Sequence, residues 1–320
     1  MDSMRAFPVL AELRGADVLS SADLSREQTL ELLRLARGFK HADLRLDLGG
    51  MVLGLIFRKA STRTRVSFSV AMARLGGQTI DLDPQASQVG RGEPVADTAR
   101  VLSRYCDALA IRTFAQEELL DYAHWATIPV INALTDQEHP CQALADFLTI
   151  QEAFGTASDG LRGLTLAYVG DGNNVAHSLL LCGALLGVHV RIGCPPGYAP
   201  SDAVLARARS LAPAGTELVV LHDPVATVRG AQALYTDVWA SMGQEQERVD
   251  RELAFRGWCL DEELLAEADA RAIVLHCLPA HRGEEISAGV IEGSASRVFE
   301  QAENRLHAQQ ALLAALLAPA

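Results

Sequence analysis

A chain of 320 residues, 49% of them hydrophobic, is long enough to bury the cores of two ordinary domains. No apolar run reaches bilayer length, and a net charge of −12 disfavours nucleic acid and anionic membranes as partners. A small anionic substrate stays open, because arginines can focus charge locally; Lys40 and Lys59 are the only lysines.

In chain order, leucines at helical spacing from Leu24 to Phe39, behind Ser25 as N-cap, predict an opening helix. Met51 to Phe57 predicts a buried strand, and Val66 to Leu75 a helix ended by Gly76-Gly77. Ser61, Thr62, Arg63 and Thr64 fall at the junction between them. The first N–H groups of a helix lack carbonyl partners, and the dipole adds positive charge there. Hydroxyls and a guanidinium at such a terminus suit a phosphate. Arg63 and Arg65 oppose the dipole with no acid close by in sequence, so both point to an anionic ligand.

A strand over Gln78–Leu82, a polar loop over Asp83–Glu93, a helix from Pro94 to Tyr105 and a strand over Ala108–Arg112 follow. A helix over Gln116–Ala123, a strand over Ile128–Ile131 and a helix over Gln142–Phe154 complete this half. The polar, Gly-containing stretch Thr156–Gly163 marks a boundary. The second half is predicted to place strands at Leu164–Val169, Val188–Ile192, Leu218–Leu221, Ala233–Thr236 and Ile273–His276. An alanine-rich helix closes the chain over Ala308–Ala320. The fold class is therefore α/β, with two similar-sized domains, each a mainly parallel sheet flanked by helices.

Such sheets bind ligands at the carboxyl ends of their strands, where the polar residues gather here. Arg112 ends one strand and His139-Pro140-Cys141-Gln142 follows another, on the edge that holds Ser61–Thr64. Asn174, Asp237 and Cys277 fall on the corresponding edge of the second sheet. Gly170-Asp171-Gly172 is a weak dinucleotide signal, because position 175 is Val175 and no acid follows the next strand. Neither lysine stands in a P-loop, and no metal-ligand spacing appears, so no cofactor or metal is expected. Cys106, Cys141, Cys182, Cys194, Cys259 and Cys277 form no C-x-x-C pair and read as reduced thiols. Met1 to Ser20 carries no secretory pattern, so a cytoplasmic location is predicted.

Ser-Thr-Arg-Thr-Arg (61–65), His-Pro-Cys-Gln (139–142), Asp-x-x-x-Ser-Met-Gly (237–243), His-Cys-Leu-Pro (276–279) and Glu-Asn-Arg (303–305) occur in this order. The chain thereby resembles the ornithine carbamoyltransferases, over essentially its whole length. The first two motifs are shared by carbamoyltransferases broadly; Ser-Met-Gly and His-Cys-Leu-Pro mark the ornithine branch. The resemblance implies a domain over 1–150 for carbamoyl phosphate, with 305–320 packing back on it, and a domain over 151–304 for ornithine. Crossing helices would link the two, and three copies would form a homotrimer with shared active sites.

By motif, Ser61, Thr62, Arg63, Thr64, Arg112, His139, Gln142 and Arg305 would hold carbamoyl phosphate, joined by Gln88 of a neighbouring copy. Arg91 is the alternative in that loop. Asn174, Asp237, Ser241 and Met242 would hold ornithine, with Cys277 and Leu278 beside the reacting centre. Arg63, Arg112, His139 and Cys277 would be catalytic, and Cys277 or the leaving phosphate would accept the amine proton. Asp237 disfavours a dicarboxylate acceptor. A related amine such as putrescine or an N-acylated ornithine, or a non-catalytic ligand-binding role, is the alternative function.

Overall fold

The computed structural model describes residues 3–82, 92–155, 160–240 and 247–318. They form two compact units, one of residues 1–148 and 303–320, the other of residues 149–302. No helix among the described residues is long and apolar enough to cross a membrane.

The first unit contains α1 (Arg26–Lys40), β1 (Val52–Phe57), α2 (Thr62–Arg74), β2 (Gln78–Leu82), α3 (Val95–Leu102), β3 (Ala108–Arg112), α4 (Gln116–Trp125) and β4 (Val130–Leu134). Then α5 (Pro140–Phe154) leads towards the second unit. All strand pairings are parallel, in the order β2-β1-β3-β4. Ser25 starts α1 through a capping box with Gln28, satisfying donors that the helix leaves open. Residues 53–57 of β1 are all buried, as expected of a central parallel strand with both faces covered. Ile56, Leu109, Ile111 and Val130 pack with Leu119 and Tyr122 of α4 in one apolar cluster.

The second unit contains β5 (Thr165–Val169), α6 (Asn174–Leu186), β6 (His189–Gly193), α7 (Asp202–Leu211), β7 (Leu218–Leu221), α8 (Pro224–Val228) and β8 (Ala233–Thr236). It continues with α9 (Arg248–Ala254), α10 (Glu262–Ala266), β9 (Ile273–His276) and α11 (Ala288–Ile291), and α12 (Val298–Leu317) returns the chain to the first unit. Its parallel sheet runs β7-β6-β5-β8-β9. Trp239 and Phe255 stack at 5.5 Å in a cluster with Val169, Leu234, Trp258, Val274 and Ile286.

Of the boundaries that depart from the sequence reading, two involve buried polar residues. The strand expected over 128–131 runs from Val130 to Leu134, because Asn132 continues it in the interior. Its amide nitrogen donates to the Leu19 carbonyl at 2.8 Å, which offsets part of the cost of burying the side chain, while Oδ1 has no hydrogen-bond partner among the described residues. The closing helix begins ten residues before its expected start, at Val298. Its early polar residues are buried and bonded: Asn304 accepts from Lys40 Nζ at 2.8 Å, and Arg305 Nη2 donates to Thr64 Oγ1 at 2.6 Å.

Candidate active site

In the first unit β1 delivers the chain to Ser61, the N-cap of α2, whose hydroxyl accepts from the Thr64 N–H at 3.3 Å. The parallel register aligns Phe57 with Arg112, which brings Arg112 Nη1 to 3.3 Å from Ser61 Oγ. Arg305 reaches the buried Thr64 hydroxyl from α12. His139, directly before α5, is also buried. Burial, then the guanidiniums of Arg305, Arg112 and Arg63, hold its imidazole well below its usual pKa. His139 is therefore a neutral ring among cations. Gln142, one turn on, donates Nε2 to Asp146 Oδ1 at 2.7 Å, which fixes the orientation of its amide. Its Oε1 has no hydrogen-bond partner among the described residues.

Thr62 and Arg63 are exposed in the first turn of α2. Arg65 departs from its expectation: it pairs with Asp81 of β2 at 3.0 Å. An acid distant in sequence becomes a neighbour through the β1–β2 pairing, so the expected anion falls to Arg63. Gln88 and Arg91 lie outside the described residues.

In the second unit the loop after β5 and the ends of β8 and β9 meet at Asp237. Asn173 caps α6, accepting at Oδ1 from the N–H groups of Val175 at 2.9 Å and Ala176 at 3.1 Å. Its Nδ2 donates to Asp237 Oδ2 at 2.8 Å. Cys277 Sγ donates to Asp237 Oδ1 at 3.0 Å. Beneath them Tyr168 and Tyr235 stack at 5.8 Å. Burial foremost, then the nearby acids, pushes the Tyr168 hydroxyl well above its usual pKa, so it remains a donor. Asn174, the expected ligand, is the first residue of α6 and half-buried; the bond to Asp237 comes from Asn173. Ser241 and Met242 lie outside the described residues.

The turn holding Cys277 and Leu278 is fixed from behind. His276 Nε2 donates to Glu285 Oε1 at 3.0 Å, while its Nδ1 accepts the Leu278 N–H at 2.9 Å. Gln301 takes the His276 N–H at 2.8 Å. Leu278 has φ +59°, a left-handed conformation that a branched residue adopts only where its surroundings impose it. Gln301 and Asn173 escaped sequence reasoning because their partners are distant along the chain, and Glu285 because its bonds to His276 and the His281 N–H follow no periodic spacing. Arg251 escaped it too: from α9 it donates to Asp171 Oδ2 at 2.7 Å and to the Trp239 carbonyl at 2.9 Å, both through Nη1. Gly172 has a packing reason rather than a cofactor, since a Cβ there would stand 2.2 Å from the Pro200 nitrogen.

Residues 16–152 match the family model described as the carbamoyl-P binding domain of aspartate/ornithine carbamoyltransferase, and residues 162–316 match its Asp/Orn binding domain. The ornithine carbamoyltransferase of Prochlorococcus marinus (strain MIT 9313) is 72% identical over 309 residues, covering 97% of this chain and 96% of that protein. The solved ornithine carbamoyltransferase of Gloeobacter violaceus is 55% identical with a TM-score of 0.86, covering 95% of this chain and 99% of its own. That of Pyrococcus furiosus is 47% identical with a TM-score of 0.89, covering 95% and 98%.

Proposed function

The chain belongs to the aspartate/ornithine carbamoyltransferase family, and from that premise we propose that it transfers the carbamoyl group of carbamoyl phosphate to the side-chain amine of L-ornithine. Citrulline and phosphate are the products. The observation that carries the choice of acceptor is the Asp237 carboxylate, held by Asn173 and Cys277 at the carboxyl edge of the second sheet. A carboxylate there attracts the α-ammonium of an amino acid and repels a second acid group. The nearby cation Arg251 is already bound to Asp171.

In this mechanism the α2 N-terminus, with Ser61, Thr62, Arg63 and Thr64, holds the phosphate. Arg112, Arg305 and the neutral His139 direct hydrogen-bond donors at the carbamoyl oxygen, where negative charge develops. Gln142 Oε1 accepts from the carbamoyl NH2. Ser241 and Met242 border the ornithine aliphatic chain, Asn174 adds a polar contact, and Leu278 closes the reacting centre. The attacking amine must be neutral. With an ordinary pKa near ~10.4, its deprotonation at neutral pH costs roughly 4–5 kcal/mol. Cys277, already bonded to Asp237, positions that amine, and the departing phosphate is the better proton acceptor. Arg63 neutralises the phosphate as it leaves. Three copies form a trimer in the cytoplasm, each receiving Gln88 from a neighbour.

Incubating the purified chain with carbamoyl phosphate and ornithine, putrescine, N-acetylornithine or aspartate, and measuring the carbamoylated product, tests the assignment. Citrulline should form far faster than any other product. Preference for another amine, or no turnover by folded protein, overturns it.

A further inference from the structure

Beside the turn after β9, His281, Glu284 and Glu285 each offer one ligand atom, and the three atoms lie within 4.8 Å of one another. His281 Nδ1 stands 3.6 Å from Glu284 Oε2 and 4.0 Å from Glu285 Oε2, too far for hydrogen bonds. Glu285 is fully buried. Its Oε1 is occupied by His276 Nε2 at 3.0 Å and the His281 N–H at 2.6 Å, whereas Oε2 has no hydrogen-bond partner among the described residues. A buried carboxylate oxygen left unsatisfied is costly, and a cation is what satisfies it. Glu284 Oε1 is held by Arg248 Nη2 at 2.8 Å, which leaves its Oε2 turned to the cluster.

We infer that His281, Glu284 and Glu285 form a site for a divalent transition-metal ion, held by one imidazole and two carboxylates. Ligand bonds of about 2.0–2.2 Å in a tetrahedral shell place ligand atoms roughly 3.3–3.6 Å apart. The His281–Glu284 separation already fits, and rotation of the partly exposed His281 and Glu284 side chains draws in the rest. A hard cation such as Mg2+ demands about six oxygens, so an N/O set of three selects zinc-like ions. The ion ties His281 and Glu284 to the buried carboxylate that already holds His276. A second grouping, Asp237, His276 and Cys277, is equally close, but its carboxylate oxygens and both ring nitrogens are engaged in hydrogen bonds.

Zn2+ and Co2+ titrated separately into the full chain test this, in wild type and in Cys277→Ser, which disables the second grouping. The expected result is one ion per chain in both, with a Co2+ spectrum lacking a thiolate charge-transfer band. His281→Ala and Glu284→Gln should each weaken binding by at least about tenfold. Glu285→Gln should do the same if it folds, and the other two variants decide the matter if it does not. No binding by wild type, undiminished binding in His281→Ala, or binding that shows the thiolate band and vanishes in Cys277→Ser overturns the proposal.

Discussion

Two side-chain donors converge on the Asp237 carboxylate, Cys277 Sγ at 3.0 Å and Asn173 Nδ2 at 2.8 Å, on separate oxygens, and the Val238 N–H joins Cys277 on Oδ1 at 2.8 Å. An asparagine there has one oxygen and no charge, so it keeps the bonds on one side only and loses the attraction for an α-ammonium. Asp237→Asn is expected to weaken ornithine binding about 10- to 100-fold, the size of a charge-assisted bond, and to leave carbamoyl phosphate affinity unchanged. Calorimetric titration with each ligand checks it; equal loss of both makes Asp237 a structural residue.

His139 yields a prediction in pH. Its folded-state pKa is depressed, first by burial and then by Arg305, Arg112 and Arg63. Between that value and the ordinary 6.5, the unfolded chain binds a proton that the folded chain refuses. Stability is therefore full above the ordinary value and falls as pH drops below it, by up to about 1.4 kcal/mol per pH unit. His307, also depressed by burial, acts in the same sense. His139→Gln should flatten part of the acid-side decline in urea midpoint, leaving the share due to His307. A decline as steep as that of wild type rejects the assignment.

Between elements, Arg251 of α9 joins Asp171, after β5, to the Trp239 carbonyl, after β8. The paired side chains are only 9% and 11% exposed, so removing one leaves the other as a buried, uncompensated charge. Burial already raises the Asp171 pKa even with the arginine present, so protonation of Asp171 would soften the loss. Arg251→Ala is expected to destabilise the second unit by about 3 kcal/mol, and Arg251→Ala with Asp171→Asn by less than that. Denaturant unfolding of the single and double variants measures the difference; a double variant worse than the single one refutes the pairing.

Arg251 also marks where sequence reasoning ended. Strands β3, β7, β8 and β9 were legible to the residue because they are apolar runs bounded by turn residues or charges. Asn132 and Arg305 were not legible as interior residues of regular elements, since each is buried only because a distant group accepts or donates a bond. The same limit applied to the site. Ser61, Arg112 and Asp237 announce themselves at strand ends, whereas Glu285 acts on the Cys277 turn through the His276 ring and the His281 N–H. Hydrogen-bond chains between distant positions leave no periodic trace in a sequence.

For the whole assembly, the proposed trimer makes a prediction that no single copy can satisfy. Each site is taken to combine its own Arg63 with Gln88 of the next copy, so Arg63→Ala and Gln88→Ala should each abolish most turnover for a different reason. Around a closed ring of three containing both variants, every copy donates in the same rotational direction. Each mixed trimer, whichever variant is in the majority, then has one site where an intact Arg63 meets an intact Gln88. In a random equal mixture a site has one chance in two of belonging to a Gln88→Ala copy and one in two of facing an Arg63→Ala neighbour. Co-refolding should thus restore about one quarter of wild-type citrulline formation. The neighbour's identity is tested by repeating the mixture with Arg91→Ala in place of Gln88→Ala. Mass spectrometry of the mixture confirms that the copies have exchanged. Activity no greater than the sum of the two variants refolded separately would mean that each copy completes its own site, and the shared-site trimer fails with it.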